Sequence, residues 1–239
     1  PKSFCSLCSS LKIDFIGLRI ILIFIWFINS RITMSIIKDI LDKNHQTKLF
    51  DTNKIPDKEI SEKIIKTAFE LTASKQNLYP YKVHVLGPNA EQEKQDLYDI
   101  ISYQKGGSTN VNVKEAPYCL IFTIRLITNP DPIILARIKN GHSYAAIDPK
   151  KYRGQIPGVA LEVGMFSKVL SSLALENGLN VAYTGCFPNY EHNTNLWKKL
   201  SFIDDLVIFA MQFGYSLTKH STKKEIEKKP HIDEVINWI

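Results

Sequence analysis

The stretch Val159–Leu175, which reads VALEVGMFSKVLSSLAL, gives the strongest helix signal in the chain. Apolar residues recur along it at helical spacing, in a main stripe and in positions that widen it: Val163, Phe166, Leu170 and Leu173, then Val159, Val169 and Ala174. A stripe this broad predicts a helix buried at the centre of the domain, with Met165 and Phe166 both in the core. Asn177-Gly178 follows and predicts the C-terminal cap of the helix.

Four segments around this helix are predicted to be strands. Tyr118–Ile124 is a near-continuous apolar run, which is typical of a strand covered on both faces. Tyr81–Leu86 alternates apolar and polar positions and ends at a Gly-Pro pair. Leu179–Tyr183 and Leu206–Phe213 are predicted as two further core strands.

Further helices are predicted before these strands, so the element order is not a regular βαβ repeat. The first has its apolar spacing over residues 36–41, and a second begins at Pro56-Asp57. A third is predicted at Glu91–Ile101, and residues 125–156 are expected to be loops with a short helix. The second helix has four apolar residues on one predicted face: Ile60, Ile64, Ala68 and Leu71. This order favours an α+β domain whose central sheet is packed between helices.

The composition is that of a globular protein. Of 239 residues, 44% are hydrophobic and 23% are charged, enough for one domain with a well-filled core. Four scattered cysteines do not indicate a disulfide framework. Residues 1–33 hold four basic residues against Asp14 alone, which is half of the net charge of +6. The remaining excess is mild and gives little support to a nucleic-acid partner.

Residues 1–33 form a hydrophobic leader with an unbroken apolar run at Ile20–Ile28. This run has the length of a signal sequence and is short for a membrane span. The leader is a signal anchor, part of a longer chain, or translated upstream sequence joined to a domain that starts at Met34. Because helix signals begin directly after Met34, we favour the third interpretation and place the domain at residues 34–239. We expect it in the cytoplasm, with membrane contact only if the leader is expressed.

Several common catalytic motifs are absent from the sequence. It contains no G-x-x-x-x-G-K-[ST] loop, no G-x-G-x-x-G fingerprint, no H-E-x-x-H pair and no G-x-S-x-G elbow. The Cys5-x-x-Cys8 pair lacks two further ligands nearby, and the histidines show no metal-ligand spacing. No metal site is therefore predicted, and any nucleotide cofactor must be held without a glycine fingerprint.

Four segments resemble, in order, motifs of the nitroreductase family of flavin proteins. They are Lys43–Asp51, Thr72–Tyr81, Asn110–Pro117, and the part of the central helix from Gly164 that leads to Gly185-Cys186-Phe187. The resemblance spans residues 36–239. It implies a central mixed, mainly antiparallel sheet flanked by helices, in a homodimer that shares its flavin mononucleotide (FMN) across the subunit interface.

The resemblance also implies which residues bind the negatively charged parts of FMN. The phosphate requires cations, and the reduced ring carries negative charge near N1 that a cation stabilises. Lys48 would lie at the N1–O2 edge of the ring, and His45 with Gln46 would lie near the phosphate and ribityl chain. Lys228 or Lys229 would correspond to the C-terminal phosphate-binding cations.

Other residues would approach the flavin ring. Ser74 and Asn77, with Lys75 in the same turn, would reach it from the other subunit. Asn110 would bond the pyrimidine edge. Gly185 and Cys186 would offer backbone groups near N5.

The family resemblance implies ping-pong transfer from NAD(P)H through FMN to an electron-poor small molecule such as a nitroaromatic, quinone or enone. No side chain is expected to be catalytic, because the cofactor carries the chemistry. One alternative is a flavin-dependent dehalogenase or flavin-fragmenting enzyme; another is a membrane-tethered binding module. A third is a non-catalytic dimer of the same fold. Asn44 and Gln46 favour the last, because they replace an arginine and a serine of the family pattern and weaken the phosphate clamp by one charge.

Overall fold

The computed structural model describes residues 38–39, 47–104, 113–185, 187–188, 193–217 and 232–237. The chain divides into two units, Pro1–Lys43 and Asn44–Ile239. In the first unit, the described residues Lys38 and Asp39 are helical and exposed. The rest of the predicted first helix lies outside the described residues, and the domain boundary at Met34 stays a prediction.

In the second unit, the described helices and strands follow the predicted order. The helices are α1 (Lys58–Leu71), α2 (Glu91–Gln104), α3 (Pro132–Lys139), α4 (Ile156–Glu176), α5 (Thr194–Trp197) and α6 (Ile232–Val235). The strands are β1 (Tyr81–Leu86), β2 (Tyr118–Ile124), β3 (Asn180–Thr184) and β4 (Val207–Gly214). Asp57 caps α1, as Pro56-Asp57 predicted, with its carboxylate accepting from the amides of Glu59 and Ile60. Gly178, at φ 73°, follows the end of α4 where the predicted cap lies.

The strands form one sheet in the order β1-β2-β4-β3, and each described pair is antiparallel. This confirms an α+β domain with a mainly antiparallel sheet. The parallel strand that a mixed sheet would need is not among the described strands. Residues 125–156 contain the short helix α3 and two single 3₁₀ turns, as expected.

Strand β2 lies between β1 and β4, and all seven of its residues are buried. Its even-numbered residues, such as Leu120 and Phe122, belong to the core beneath α1 and α4. Its odd-numbered residues, such as Cys119 and Ile121, belong to the core beneath α2. This period-2 alternation between two covered faces explains why the strand is apolar at every position except Thr123.

Helix α4 packs on the sheet through the predicted apolar stripe, whereas Met165, which was also predicted to lie in the core, does not. Val163, Phe166 and Leu170 are buried against the sheet, as predicted. Met165, assigned to the core, is 41% exposed, and Leu161 is 67% exposed. The sheet of one chain reaches one face of the helix, whereas the apolar pattern extends beyond that face. By length and composition the segment Tyr152–Glu176 could cross a membrane, but this packing makes it a core helix.

Helix α1 packs beside α4 with a face rotated from the predicted one. Ser61, Ile64 and Ala68 are buried, whereas Ile60 is 45% and Leu71 64% exposed. Spacing alone could not separate these faces, because Ile64 and Ala68 fit both. Apolar side chains therefore stay uncovered on α1 as well as on α4.

Gly214, at the end of β4, has less space for a side chain than any other described glycine. A Cβ at Gly214 would lie 2.6 Å from Cδ and 2.8 Å from Cγ of Pro117. Pro117 is held in place, because the buried Lys94 ammonium donates to the carbonyl oxygens of Ala116 (3.0 Å) and Pro117 (3.4 Å). Burial lowers the pKa of Lys94 below its usual value.

We predict that Gly214→Ala destabilises the domain, because neither the proline ring nor the sheet backbone can yield without strain. Overpacking of this kind costs about 1–3 kcal/mol in the free energy of unfolding, measured by chemical denaturation. Gly154→Ala is the matched control, since a Cβ there meets nothing within 4 Å. Equal midpoints for the two variants would contradict the packing described here.

Candidate functional site

The loop that joins α1 to β1 contains an unusual run of backbone conformations. Gln76, Asn77 and Tyr79 have φ values of 60°, 55° and 45°, in the left-handed region that favours glycine. Each residue held in a sparsely populated region costs on the order of 1–3 kcal/mol, and such residues cluster at binding sites. The surrounding structure must therefore hold this loop, which contains the predicted flavin contacts.

Glu162 of α4 fastens the first half of the loop. The Ser74 hydroxyl donates to Glu162 Oε2 at 2.7 Å, and the Lys75 amide donates to Glu162 Oε1 at 3.2 Å. The Ser74 oxygen in turn accepts from the amide of Tyr79 at 2.8 Å. The carboxylate, the hydroxyl and the amide thus form a relay across the turn.

Arg125, directly after β2, fastens the second half. Its Nη2 donates to the carbonyl of Leu78 at 2.8 Å and its Nε to that of Tyr79 at 3.1 Å. Its backbone amide donates to the carbonyl of Pro80 at 3.0 Å. The planar guanidinium fork suits two adjacent carbonyls, which a lysine could not bridge in the same way.

Aromatic side chains pack at the base of the loop, where it leaves α1 and enters β1. Tyr79 packs against Phe69 with ring centroids 4.7 Å apart, and its hydroxyl donates to the carbonyl of Thr72. Tyr81 is buried, and its hydroxyl has no hydrogen-bond partner among the described residues. Burial, and then the nearby Glu162 carboxylate, raise the pKa of Tyr81 to about 12. Tyr81 is therefore neutral at physiological pH.

A cavity of about 510 Å³ opens beside the loop. Residues 76–78 of the loop form one wall, and residues 125–131 with the start of α3 form the other. The predicted loop region after β2 thus borders a space large enough for a small organic molecule.

Lys48 and Gly185 lie along the opposite edge of the sheet. The Thr47 amide donates to the carbonyl of Val181 at 2.8 Å, which places Thr47 beside β3, whereas residues 49–51 pair with residues 215–217 after β4. Lys48 is exposed there, and Gly185 is exposed directly after β3. About 13 Å of strand separates Val181 from Gly185, so a cation and an open backbone segment border the same edge.

The two groups of predicted flavin contacts are far apart within one chain. Strands β1 and β3 are the outer strands of the sheet, so about 14 Å, or three strand spacings, lies between them. The antiparallel registers put the start of β1 and the end of β3 at the same end of the sheet. Asn77 and Gly185 therefore share an end of the sheet but lie at its opposite edges.

Of the predicted site residues, the structure describes Lys48, Ser74, Lys75, Asn77 and Gly185. Ser74 directs its hydroxyl hydrogen into the protein, towards Glu162, and Lys75 does the same with its amide. The other predicted residues lie outside the described part of the chain: Asn44, His45, Gln46, Asn110, Cys186, Lys228 and Lys229.

Sequence reasoning missed Glu162 and Arg125. Glu162 is the one acidic residue between Val159 and Leu175, and an acidic residue amid an apolar helix was a usable signal. Arg125 follows a fully buried strand, but nothing in the sequence indicated that it would bind the loop before β1.

Comparison with solved structures places this arrangement among known folds. A protein assigned as an NAD(P)H:FMN oxidoreductase, from Staphylococcus epidermidis, superposes with a TM-score of 0.66 at 16% identity, over 85% of this chain and 95% of the other. A nitroreductase-like protein from Streptococcus mutans gives 0.65 at 16% identity, over 86% and 99%. A protein assigned as a nitroreductase, from Exiguobacterium sibiricum and solved in complex with FMN, gives 0.61 at 15% identity, over 84% and 96%.

The chain has the nitroreductase fold. No family model and no curated protein sequence matches the chain. The fold expected from the four resembling segments is thus confirmed, and the likeness resides in the three-dimensional structure.

Proposed function

We propose that the chain is an FMN-dependent oxidoreductase, reduced by NAD(P)H, that passes electrons to an electron-poor small molecule. The proposal is carried by one observation: a nitroreductase fold in which a strained loop is built around the position of the expected flavin contacts. Proteins of this fold include one assigned as an NAD(P)H:FMN oxidoreductase and one in complex with FMN. The acceptor class, such as a nitroaromatic, quinone or enone, is part of the proposal.

The described residues fit the chemistry of FMN. Lys48 is an exposed cation beside the edge strand, suited to the negative charge of a reduced flavin. Gly185 is exposed, and a Cβ there would meet nothing within 4 Å, so its backbone is accessible to a planar ring. Asn77, on the other edge, offers an amide that both donates and accepts.

In the proposed mechanism the protein binds and orients, and no side chain transfers a proton. FMN, when bound, supplies the electron transfer between NAD(P)H and the acceptor. Lys48 stabilises negative charge at one edge of the site, and the Gly185 backbone leaves room for approach. The 510 Å³ cavity beside Gln76 and Asn77 would hold the organic acceptor.

The proposed enzyme is a homodimer. Asn77 and Gly185 lie at opposite edges of the sheet, with β2 and β4 between them, so we assign them to the two different flavin sites of a dimer. A second copy supplies the other when the uncovered faces of α1 and α4 meet. Leu161 and Leu71 are 67% and 64% exposed, and each leucine fully buried contributes about 1.5–3 kcal/mol.

We predict that the purified full chain binds added FMN, turns yellow, and is bleached by NADPH or NADH under anaerobic conditions. Absorption spectra measure both steps, and colour returns when a nitroaromatic or quinone is added. Lys48→Gln should weaken FMN binding about tenfold, because a charge-assisted contact is lost. Lys150→Gln, at another exposed lysine, is the control.

A colourless chain that does not bind added FMN would overturn the proposal and favour the non-catalytic dimer. A chain that binds FMN and turns over a halogenated aromatic, but no nitroaromatic or quinone, would favour the dehalogenase instead.

We predict that the chain sediments as a dimer of 27.3 kDa subunits and that Leu161→Arg shifts it towards monomer. An arginine at this position would bury a charge without a partner in the proposed interface, which costs several kcal/mol. Tyr103→Arg is the matched control, since Tyr103 is 63% exposed on α2, which covers the opposite face of the sheet from α4. A Leu161→Arg chain that stays dimeric, or a Tyr103→Arg chain that dissociates, would place the interface elsewhere.

A further inference from the structure

The loop between α1 and β1 is fastened by two residues that act on different halves of it. Arg125 bonds the carbonyls of Leu78 and Tyr79, where the chain enters β1. Glu162 bonds Ser74 and Lys75, where the chain leaves α1. The left-handed residues Gln76 and Asn77 lie between these two anchors, and their position depends on both.

We infer that Glu162 is a positioning residue for flavin binding, acting through Ser74 on the side chain of Asn77. This inference rests on the proposed function, because it assumes that Asn77 contacts FMN. Glu162 touches no reacting atom in this scheme. Its role is to keep the turn in a conformation that an isolated peptide would rarely adopt.

The hydrogen-bond directions explain how the carboxylate acts at a distance. Both oxygens of Glu162 accept, one from the Ser74 hydroxyl and one from the Lys75 amide. Because the Ser74 hydrogen points at Glu162, a lone pair of its oxygen is free to accept from the Tyr79 amide. The Asn77 amide also closes the turn by donating to the Ser74 carbonyl at 3.1 Å. The carboxylate thereby contacts Ser74 and Lys75 directly and reaches the Tyr79 amide only through the Ser74 hydroxyl.

The placement of Glu162 on α4 couples the loop to the proposed interface. Its neighbour Leu161 is exposed on the face that the second copy would cover, whereas Glu162 itself is half-buried. One rigid helix therefore carries both the contact to the partner and the anchor of the loop that reaches the partner's flavin.

The test uses Glu162→Gln, Glu162→Asp and Ser74→Ala in the full chain, with FMN affinity measured by titration. The glutamine oxygen can still accept from Ser74, but its NH₂ group faces the Lys75 amide and cannot accept. We expect FMN to bind about tenfold more weakly to Glu162→Gln and to Ser74→Ala, the effect of one lost charge-assisted hydrogen bond. Glu162→Asp keeps the charge but is one methylene shorter, so it cannot reach both Ser74 and Lys75, and it should also bind FMN more weakly. Glu176→Gln, at an exposed glutamate of the same helix, is the control.

A double-mutant cycle with Asn77→Ala separates positioning from a general loss of stability. If Glu162 acts through Asn77, Glu162→Gln should change FMN affinity little once Asn77 is alanine. Additive losses would overturn the inference, because they would mean that Glu162 affects binding independently of Asn77. Hydrogen exchange of the Lys75 and Tyr79 amides reports whether the relay is broken in each variant.

The two proposals fail in distinguishable ways. A wild-type chain that binds no FMN overturns the proposed function, and the inference with it. A Glu162→Gln chain whose Lys75 amide loses protection while FMN affinity stays at the wild-type value overturns the inference alone. If Glu162→Gln does not fold, Glu162→Asp decides: a wild-type FMN affinity in that variant, with the Lys75 amide unprotected, would also overturn it.

Discussion

The apolar surface of helix α4 is wider than the sheet of one chain can cover. The buried part of this surface fixes the helix on the sheet, and the exposed part is available to a second copy. Phe166 and Leu170 are buried on the sheet, which fixes the helix over the all-buried strand β2. Leu161 and Met165 on the same helix stay exposed in one chain. Apolar surface of this kind favours association, because burying it releases about 25 cal/mol per Å². The packing of the core thus leads directly to the proposed second copy.

The same helix links packing to the candidate site. Glu162 interrupts the apolar pattern of α4, and its carboxylate holds a loop with three non-glycine residues in the left-handed region. A buried or half-buried charge is retained in proteins only when hydrogen bonds satisfy it, as they do here. Helix α4 therefore both anchors the strained loop and carries an exposed apolar face. In the proposed dimer, this face contacts the neighbouring subunit whose flavin the loop reaches.

Much of the fold could be predicted from local sequence patterns, because period-2 and period-3.6 signals depend on near neighbours. Strand β2, helix α4 and the Gly178 cap were all predicted within a residue or a few of their observed bounds. On α1, Ile64 and Ala68 are buried as predicted, but Ile60 and Leu71 are exposed. Ile64 and Ala68 fit two helical faces, and only the position of α4 chooses between them. Arg125 and Glu162 were missed for a related reason: their partners lie about 46 and 88 residues away in the sequence, and no local pattern records such contacts. The site residues that the structure describes stay predictions, since fold likeness at 15–16% identity does not assign their roles.

In the proposed dimer, each flavin site takes Lys48 from one chain and Asn77 from the other. A dimer with Lys48→Ala in one chain and Asn77→Ala in the other, isolated with two different tags, tests this most directly. If sites are shared, one site of the mixed dimer is intact and the other lacks both residues, so it should bind about one FMN per dimer at wild-type affinity. Each parent variant, with Lys48→Ala or Asn77→Ala in both chains, should bind weakly at both sites. A mixed dimer that binds FMN as weakly as its parents would contradict the shared site.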